Sequence, residues 1–598
     1  MKRKNFCQSR QRPGAGARST LSLLLVLALP LGIGAIPARA VAGPETLVGI
    51  WYGQTPISSD DTLRFALEVA ARADGSLTAD LISLDQGAAA VPSSRLDFSA
   101  PLVQVEFRGS GIALEGTLSA DGQALDLEYR QGSFTGHLPL QRVEHVPGLA
   151  PRWQNPLRPY PYQEEEVTYP GGAAGQTLAG TLTLPSGGGP FPAVVLVTGS
   201  GPQGRDELVG YHRPFLVLAD YLTRRGIAVL RYDDRGVGQS TGRFDLATTA
   251  DLADDALAGV TYLRGHPEID PGRIGIVGHS EGGMIAPMVA SRSPQVALIV
   301  LLAGPGIRLD ELIVTQHGLF ALADGASEAQ VEALRAMYRV IHQTIVAEED
   351  RAAVYSAIGA YYNGLSDAER GLLGWSRSTL NATIESRLTP WWRYLLAFDP
   401  AVYLEQVRCP VLALNGDQDL NVVAAENLAA IDQALTVAGN ADYRVVQLPG
   451  LNHLLNGNGE GEPTDTTRAI ETISPEVLEL VSSWVRQHAG LGPLSTAIEE
   501  HSTVLPQALS LAQNYPNPFN SDTAIQFALP RSGAVELALY NLAGQRVALL
   551  ALGVREAGTY AVNWDGRDEQ GQELASGVYL YRLQVEAGVV ARKLALLR

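Results

Sequence analysis

Arg273-Ile274-Gly275-Ile276-Val277-Gly278-His279-Ser280-Glu281-Gly282-Gly283-Met284 is the segment from which the fold can be read. It begins as a short unbroken apolar run, the pattern of a buried strand over Arg273 to Val277, and continues into a small-residue helix predicted over Gly282 to Ala290. Strand, sharp turn and helix are the context in which a G-x-S-x-G pentapeptide presents a nucleophilic serine. The turn is so tight that the residues two before and two after the serine must lack bulk, and here both are glycine. Such a turn pushes the Ser280 hydroxyl into the open and aims the Glu281 backbone N–H at the same spot. His279 should point away from Ser280 and serve packing. Pro287 removes a helix hydrogen bond and should kink the helix.

Outward from this segment, apolar runs alternate with helical stretches from residue 162 to about 490. The runs are Ala193 to Val197, Ile227 to Leu230, Ala297 to Leu302, Val411 to Leu414 and Tyr443 to Leu448, with two earlier strands near Glu166–Tyr169 and Leu178–Leu184. Together with Arg273 to Val277 they predict an α/β domain built on a mainly parallel eight-stranded sheet, covered on both faces. Between Gly306 and Asp399 the alternation stops, and an Ala-, Leu- and Glu-rich helical insertion (306–399) is expected to lie over the sheet edge as a cap.

A serine hydroxyl needs a base, and the base needs a carboxylate to hold its tautomer. Loops at the carboxyl ends of neighbouring parallel strands converge, so both can come from far along the chain. His453 follows the Tyr443 to Leu448 strand in Pro449-Gly450-Leu451-Asn452-His453. Asp419 follows the Val411 to Leu414 strand in Asn415-Gly416-Asp417-Gln418-Asp419; Asp417 competes with it but suits a turn better. Two donors for a developing oxyanion are expected at the Glu281 N–H and in Thr198-Gly199-Ser200-Gly201-Pro202, at the Ser200 N–H with Gly201 as the alternative. That loop lacks the lysine of a phosphate-binding loop. Trp391, Trp392 and Tyr394 in the insertion are candidates for lining the substrate pocket, or else cap core.

The 598 residues leave room for further units. Residues 41–146 read as an all-β module: Val103, Val105 and Phe107 alternate, as do Leu125, Leu127 and Tyr129, and Asp74-Gly75 and Asp121-Gly122 suit tight hairpins. A Pro-rich linker (147–161) follows. After a second linker (491–513), residues 514–598 are again β-rich. Residues 1–40 hold seven bases and no acid, an apolar run from Leu21 to Leu31 and Ala38-Arg39-Ala40, the features of a cleavable export signal rather than of a membrane anchor. Beyond it, 63 acids face 38 bases, a balance of −25 with no basic run, which disfavours nucleic acid and anionic membranes as partners. Cys7 would leave with the signal and Cys409 would remain alone, so neither a disulfide framework nor a Cys-rich zinc site is available.

Five ordered motifs carry a resemblance: Thr198 to Asp206, Arg231 to Ser240, Gly278 to Gly283, Asn415 to Asp419 and Leu451 to His453. This set is similar to the α/β-hydrolase superfamily, and more narrowly to bacterial serine esterases with a helical cap, related to the serine aminopeptidase-like and acyl-peptide-hydrolase-like branches. The resemblance implies a Ser280–His453–Asp419 triad, no cofactor, and a small ester or a peptide as substrate. Thr198 departs from the histidine many relatives carry there, which bears on how the oxyanion loop is anchored. The last unit, with Asn514 to Asn520, Leu539 to Gly544 and Gly577 to Tyr581, resembles the C-terminal sorting domain of type IX secretion substrates, with a FlgD-like immunoglobulin fold. That implies export across the outer membrane to the cell surface or beyond, with the export machinery as partner; a carbohydrate-binding or spacer β-sandwich is the alternative. The expected activity is carboxylic-ester hydrolysis falling off as His453 protonates near pH 6–7. A peptidase of the same fold and a non-catalytic surface protein are the other readings.

Overall fold

The computed structural model describes residues 43–491 and 508–598, apart from 57–61, 73, 87–89, 150–151, 153, 157, 159, 458–468, 470, 515–516, 520–522, 543, 556, 565, 569–571 and 586–587. The candidate export signal, and residues 492–507 of the second linker, lie outside the described residues.

The central sheet has eight strands: β1 (Gln163–Pro170), β2 (Thr177–Leu184), β3 (Phe191–Val197), β4 (Ala228–Tyr232), β5 (Ile269–His279), β6 (Leu298–Leu302), β7 (Val411–Gly416) and β8 (Tyr443–Leu448). Their order is β1-β2-β4-β3-β5-β6-β7-β8. The pairs β1–β2 and β2–β4 are antiparallel and every later pair is parallel. Strand periodicity divides the core: Val195 and Val197 face one side with the helices Thr249–Gly265 and Glu281–Arg292, while Val194 and Leu196 face the other with Pro214–Thr223 and Pro475–His488. β5 is longer than the run Arg273 to Val277, because the flanking polar residues continue the strand conformation.

Between β6 and β7 the chain forms seven helices: six in the insertion, Leu309–Ala323, Glu328–Ala347, Arg351–Gly364, Asp367–Leu373, Arg377–Ser386 and Pro390–Leu396, and a short one after it, Ala401–Leu404. In the insertion, five helices start where a side chain accepts an otherwise orphaned N–H, from Ser327, Asp350, Ser366, Ser376 and Thr389. The insertion shares the core of the β5-facing helices through Ile341, Ile358 and Leu396. No helix among the described residues is long and apolar enough to cross a membrane.

The N-terminal unit is a nine-stranded antiparallel meander in which the first strand, Gly49–Pro56, pairs with both the second and the last, Phe134–Val143. Trp51, Phe107 and Leu127 fill its core. It meets the hydrolase-like domain at the loop after β3. Arg213 reaches Glu68 (2.6 Å) and Asp80 (2.7 Å) of the module and Asp206 (3.4 Å) of its own loop, and the Tyr211 hydroxyl donates to Glu68. Burial would lower the Arg213 pKa, but these carboxylates hold it well above its ordinary value.

The C-terminal unit packs a three-stranded sheet on a four-stranded one around Phe527, Trp564 and Tyr581. Its first strand is Ser510–Leu511, paired with Phe527–Ala528, so the unit begins before residue 514. A two-residue strand of one polar and one apolar residue carries no pattern of its own, and tertiary pairing places it.

Arg213→Met should strand three carboxylates at the module interface. We expect a loss of about 3–5 kcal/mol, measured as a lower denaturation midpoint of the full chain; an unchanged midpoint would show that the cluster does not join the units.

Candidate active site

The elbow at Ser280 is forced by what surrounds it. A Cβ on Gly278 would sit 1.9 Å from the Gly282 carbonyl oxygen, and one on Gly282 would sit 2.1 Å from the Val197 carbonyl oxygen. Only glycine allows β5 to turn directly into its helix against β3. The turn holds Ser280 at φ 54°, ψ −114°, a strained conformation for a residue with a Cβ. The helix starts at Glu281 and runs through Pro287 to Arg292.

Loops after three strands meet there. His453 Nε2 lies 3.1 Å from Ser280 Oγ, and His453 Nδ1 lies 2.8 Å from Asp419 Oδ2. The Asp419 carboxylate is fully buried, and its other oxygen accepts the Asn421 and Val422 N–H groups at 2.7 and 2.9 Å. Asp417 faces away, accepting the Gly450 N–H at 2.7 Å. The structure thus brings Ser280, His453 and Asp419 into one hydrogen-bonded row and leaves Asp417 in a turn.

The loop after β3 is anchored by carboxylates. Thr198 Oγ1 lies 3.3 Å from both Asp234 oxygens, the Gln203 N–H donates to Asp234 at 2.9 Å, and the Gly199 N–H donates to Glu207 at 2.6 Å. The Thr198 hydroxyl on Asp234 thus helps anchor this loop. Neither the Ser200 nor the Glu281 backbone N–H has a partner among the described residues. Both residues line a cavity of about 380 Å³ over Ser280, with Met284, Leu309, Leu312, Trp391 and Trp392.

Tyr394 is a correction. It does not line this cavity; its hydroxyl lies 3.4 Å from that of Tyr403 and its ring packs on Phe398. On the helix Pro390–Leu396 the positions facing Ser280 are Trp391, Trp392 and Leu395, and Tyr394 lies to one side of that arc.

Two further carboxylates went unread in the sequence. Glu281 is 2% exposed, and its Oε1 accepts Thr249 Oγ1 (2.6 Å) and Trp391 Nε1 (2.8 Å). Burial raises its pKa, while Thr249, Trp391 and Ser200 pull the other way. It thereby ties the cap helix carrying Trp391 to the elbow. Glu207, next to the Gly204-Arg205-Asp206 run, holds Gly199 and also His279, which is therefore more than a packing residue. Its partner stands 72 positions away, and no local pattern signals that pairing. A larger cavity of about 580 Å³ lies between the N-terminal module and the hydrolase-like domain. Its charged lining is taken up in ion pairs such as Arg205–Asp233 and Arg213–Glu68. Among the described residues no group of three or more His, Cys, Asp or Glu could hold a metal ion.

With this geometry in place, comparison with known proteins narrows the choice. Residues 174–459 match the X-Pro dipeptidyl-peptidase (S15) family, and residues 516–588 match the FlgD Ig-like domain. The chain is 25% identical over 368 residues to esterase EstD of Thermotoga maritima, covering 60% of this chain and 78% of that protein. It is 32% identical over 181 residues to esterase FrsA of Klebsiella pneumoniae, covering 29% of this chain and 41% of that protein. A third relative, acyl-coenzyme A thioesterase 1 of Rattus norvegicus, is 32% identical over 129 residues, 21% of this chain and 26% of that protein.

Gly282→Ala should cost about 3 kcal/mol or more by driving a methyl into the Val197 carbonyl, seen as a lowered melting temperature. Gly364→Ala, where an added Cβ meets nothing within 4 Å, is the matched control and should leave it unchanged. Sheet order, elbow and family matches agree on an α/β-hydrolase fold for the central domain, with a FlgD Ig-like match toward the C-terminal end.

Proposed function

We propose that the protein is a secreted serine esterase that cleaves carboxylic esters of short to medium acyl chains through an acyl-enzyme. The observation that carries this reading is the row Ser280 Oγ–His453 Nε2–Asp419, at 3.1 and 2.8 Å, beneath a largely apolar cavity. Ser280 Oγ attacks the ester carbonyl carbon while His453 takes the hydroxyl proton, and Asp419 steadies the resulting imidazolium. The Ser200 and Glu281 N–H groups receive the oxyanion. Collapse expels the alcohol, which leaves with the proton from His453. A water then repeats the sequence on the acyl-enzyme, releasing the carboxylic acid and restoring Ser280. No step calls for a cofactor.

The S15 match favours a second reading, a peptidase working with the same residues. The esterases among the relatives and the 25% identity to EstD over most of that protein's length weigh toward esters. Export rests on the basic-then-apolar first forty residues, and sorting by the type IX route rests on the C-terminal motifs and the FlgD Ig-like match.

The full chain should hydrolyse p-nitrophenyl acetate and butyrate, and Ser280→Ala should lower kcat at least about 10³-fold while circular dichroism and melting stay unchanged. Hydrolysis of aminoacyl-nitroanilides with no ester hydrolysis would replace this reading with the peptidase. Undiminished turnover by Ser280→Ala would refute both.

A further inference from the structure

His279, next to the proposed nucleophile, is 7% exposed, and both its ring nitrogens face acceptors. Nδ1 lies 2.9 Å from Glu207 Oε1, and Nε2 lies 2.9 Å from the backbone carbonyl oxygen of His453. A carbonyl oxygen only accepts, and so does a carboxylate, so two acceptors on the ring favour a hydrogen on each nitrogen, an imidazolium. The same Glu207 oxygen receives the Gly199 N–H at 2.6 Å. One buried pair therefore joins the loop that offers the oxyanion donors to the backbone of the general base, across β3, β5 and β8. The titratable groups facing His279 are Glu207 from the loop after β3, Asp419 from the loop after β7 and His453 from the loop after β8, whose ring centre is 4.9 Å away; Ser280 and Glu281 follow it on its own turn.

We propose that Glu207 and His279 form a buried ion pair of positioning residues, which locks the oxyanion loop to His453 and gives the enzyme an alkaline limit when the imidazolium loses its proton. This rests on the serine-hydrolase reading above. Burial alone would lower the His279 pKa, but the Glu207 charge and hydrogen bond, the His453 carbonyl and Asp419 outweigh it and lift the value to about 9. The sign follows from linkage. A proton held more tightly in the folded state adds stability that is complete below about pH 6.5, the free-histidine range, and that disappears as pH rises through about 9. Above that point one of the two donors is gone, and either the His453 carbonyl or Glu207 loses its partner.

The test follows ethyl butyrate hydrolysis in a pH-stat from pH 6 to 10, with the full-length protein and its Glu207→Gln and Glu207→Gln/His279→Gln variants. The wild type should lose kcat with a midpoint near pH 9 while KM changes little. Glu207→Gln removes the counter-charge, so its limb should move at least one pH unit lower. In the double variant the limb should vanish, and kcat at pH 7.5 should be about tenfold to a hundredfold below wild type. A residue that merely packs would lower activity without moving a midpoint. A wild-type kcat that stays flat to pH 10, or a Glu207→Gln limb that does not move, overturns the proposal, since it would mean that the pair shares one proton as neutral groups. Melting temperature gives a readout free of catalysis. In the Ser280→Ala background it should fall between pH 7.5 and 9.5, and fall less when both substitutions are added. If Ser280-dependent hydrolysis is missing but that melting difference is present, the enzymatic reading fails and the ion pair stands. If hydrolysis is present and the melting difference is missing, the ion pair fails alone.

Discussion

Ser280 stands in a conformation that L-residues avoid, at φ 54° and ψ −114°, and the surrounding architecture keeps it there. The strain persists because β5, β3 and the helix Glu281–Arg292 approach so closely that two glycines are needed, with their backbones within van der Waals reach of Gly282 and Val197. The parallel strands from β4 to β8 then set where every other group can come from. The loop after β3 reaches the elbow from one side, and the loops after β7 and β8 reach it from the other. The helical insertion closes the space above it through Trp391, which is bonded to Glu281 on the elbow itself.

Buried carboxylates perform most of the positioning. Asp419 takes two backbone N–H groups and His453, Glu207 takes Gly199 and His279, Asp234 takes Thr198 and Gln203, and Glu281 takes Thr249 and Trp391. Asp419, Glu207 and Glu281 each draw donors from different segments, which makes a carboxylate a joint between loops as well as a charge, while Asp234 fixes two points of the loop after β3. Among the described residues, no Lys or Arg lines the cavity over Ser280. The same logic joins the N-terminal module, where Arg213 links two strands of the meander to the loop that also bears Glu207.

Local signals made the scaffold legible. Short apolar runs such as Ala193 to Val197 and Val411 to Leu414 can be little else than buried strands, and the glycines around Ser280 state the turn they allow. The order of loops after successive strands points to His453 and to the Asp417–Asp419 segment, and a turn at Asp417 favours Asp419. Relations between distant side chains were not legible. Nothing near Glu207 announces that its partner is His279, and the orientation of Tyr394 depends on a helix rotation set by packing against Phe398 and Tyr403. Ser510–Leu511 is a strand only because Phe527–Ala528 offers it an edge. The Arg213 cluster requires two domains to be in place before its charges meet.

The claim on which the functional account turns is that one alcohol among the chain's many serines has been made nucleophilic. Intact-mass analysis and peptide mapping after a fluorophosphonate probe address it without a choice of substrate. The account predicts a single adduct on Ser280 that forms rapidly in the native protein and is lost in His453→Ala. A native protein that stays unlabelled, or an adduct that maps elsewhere, would contradict it.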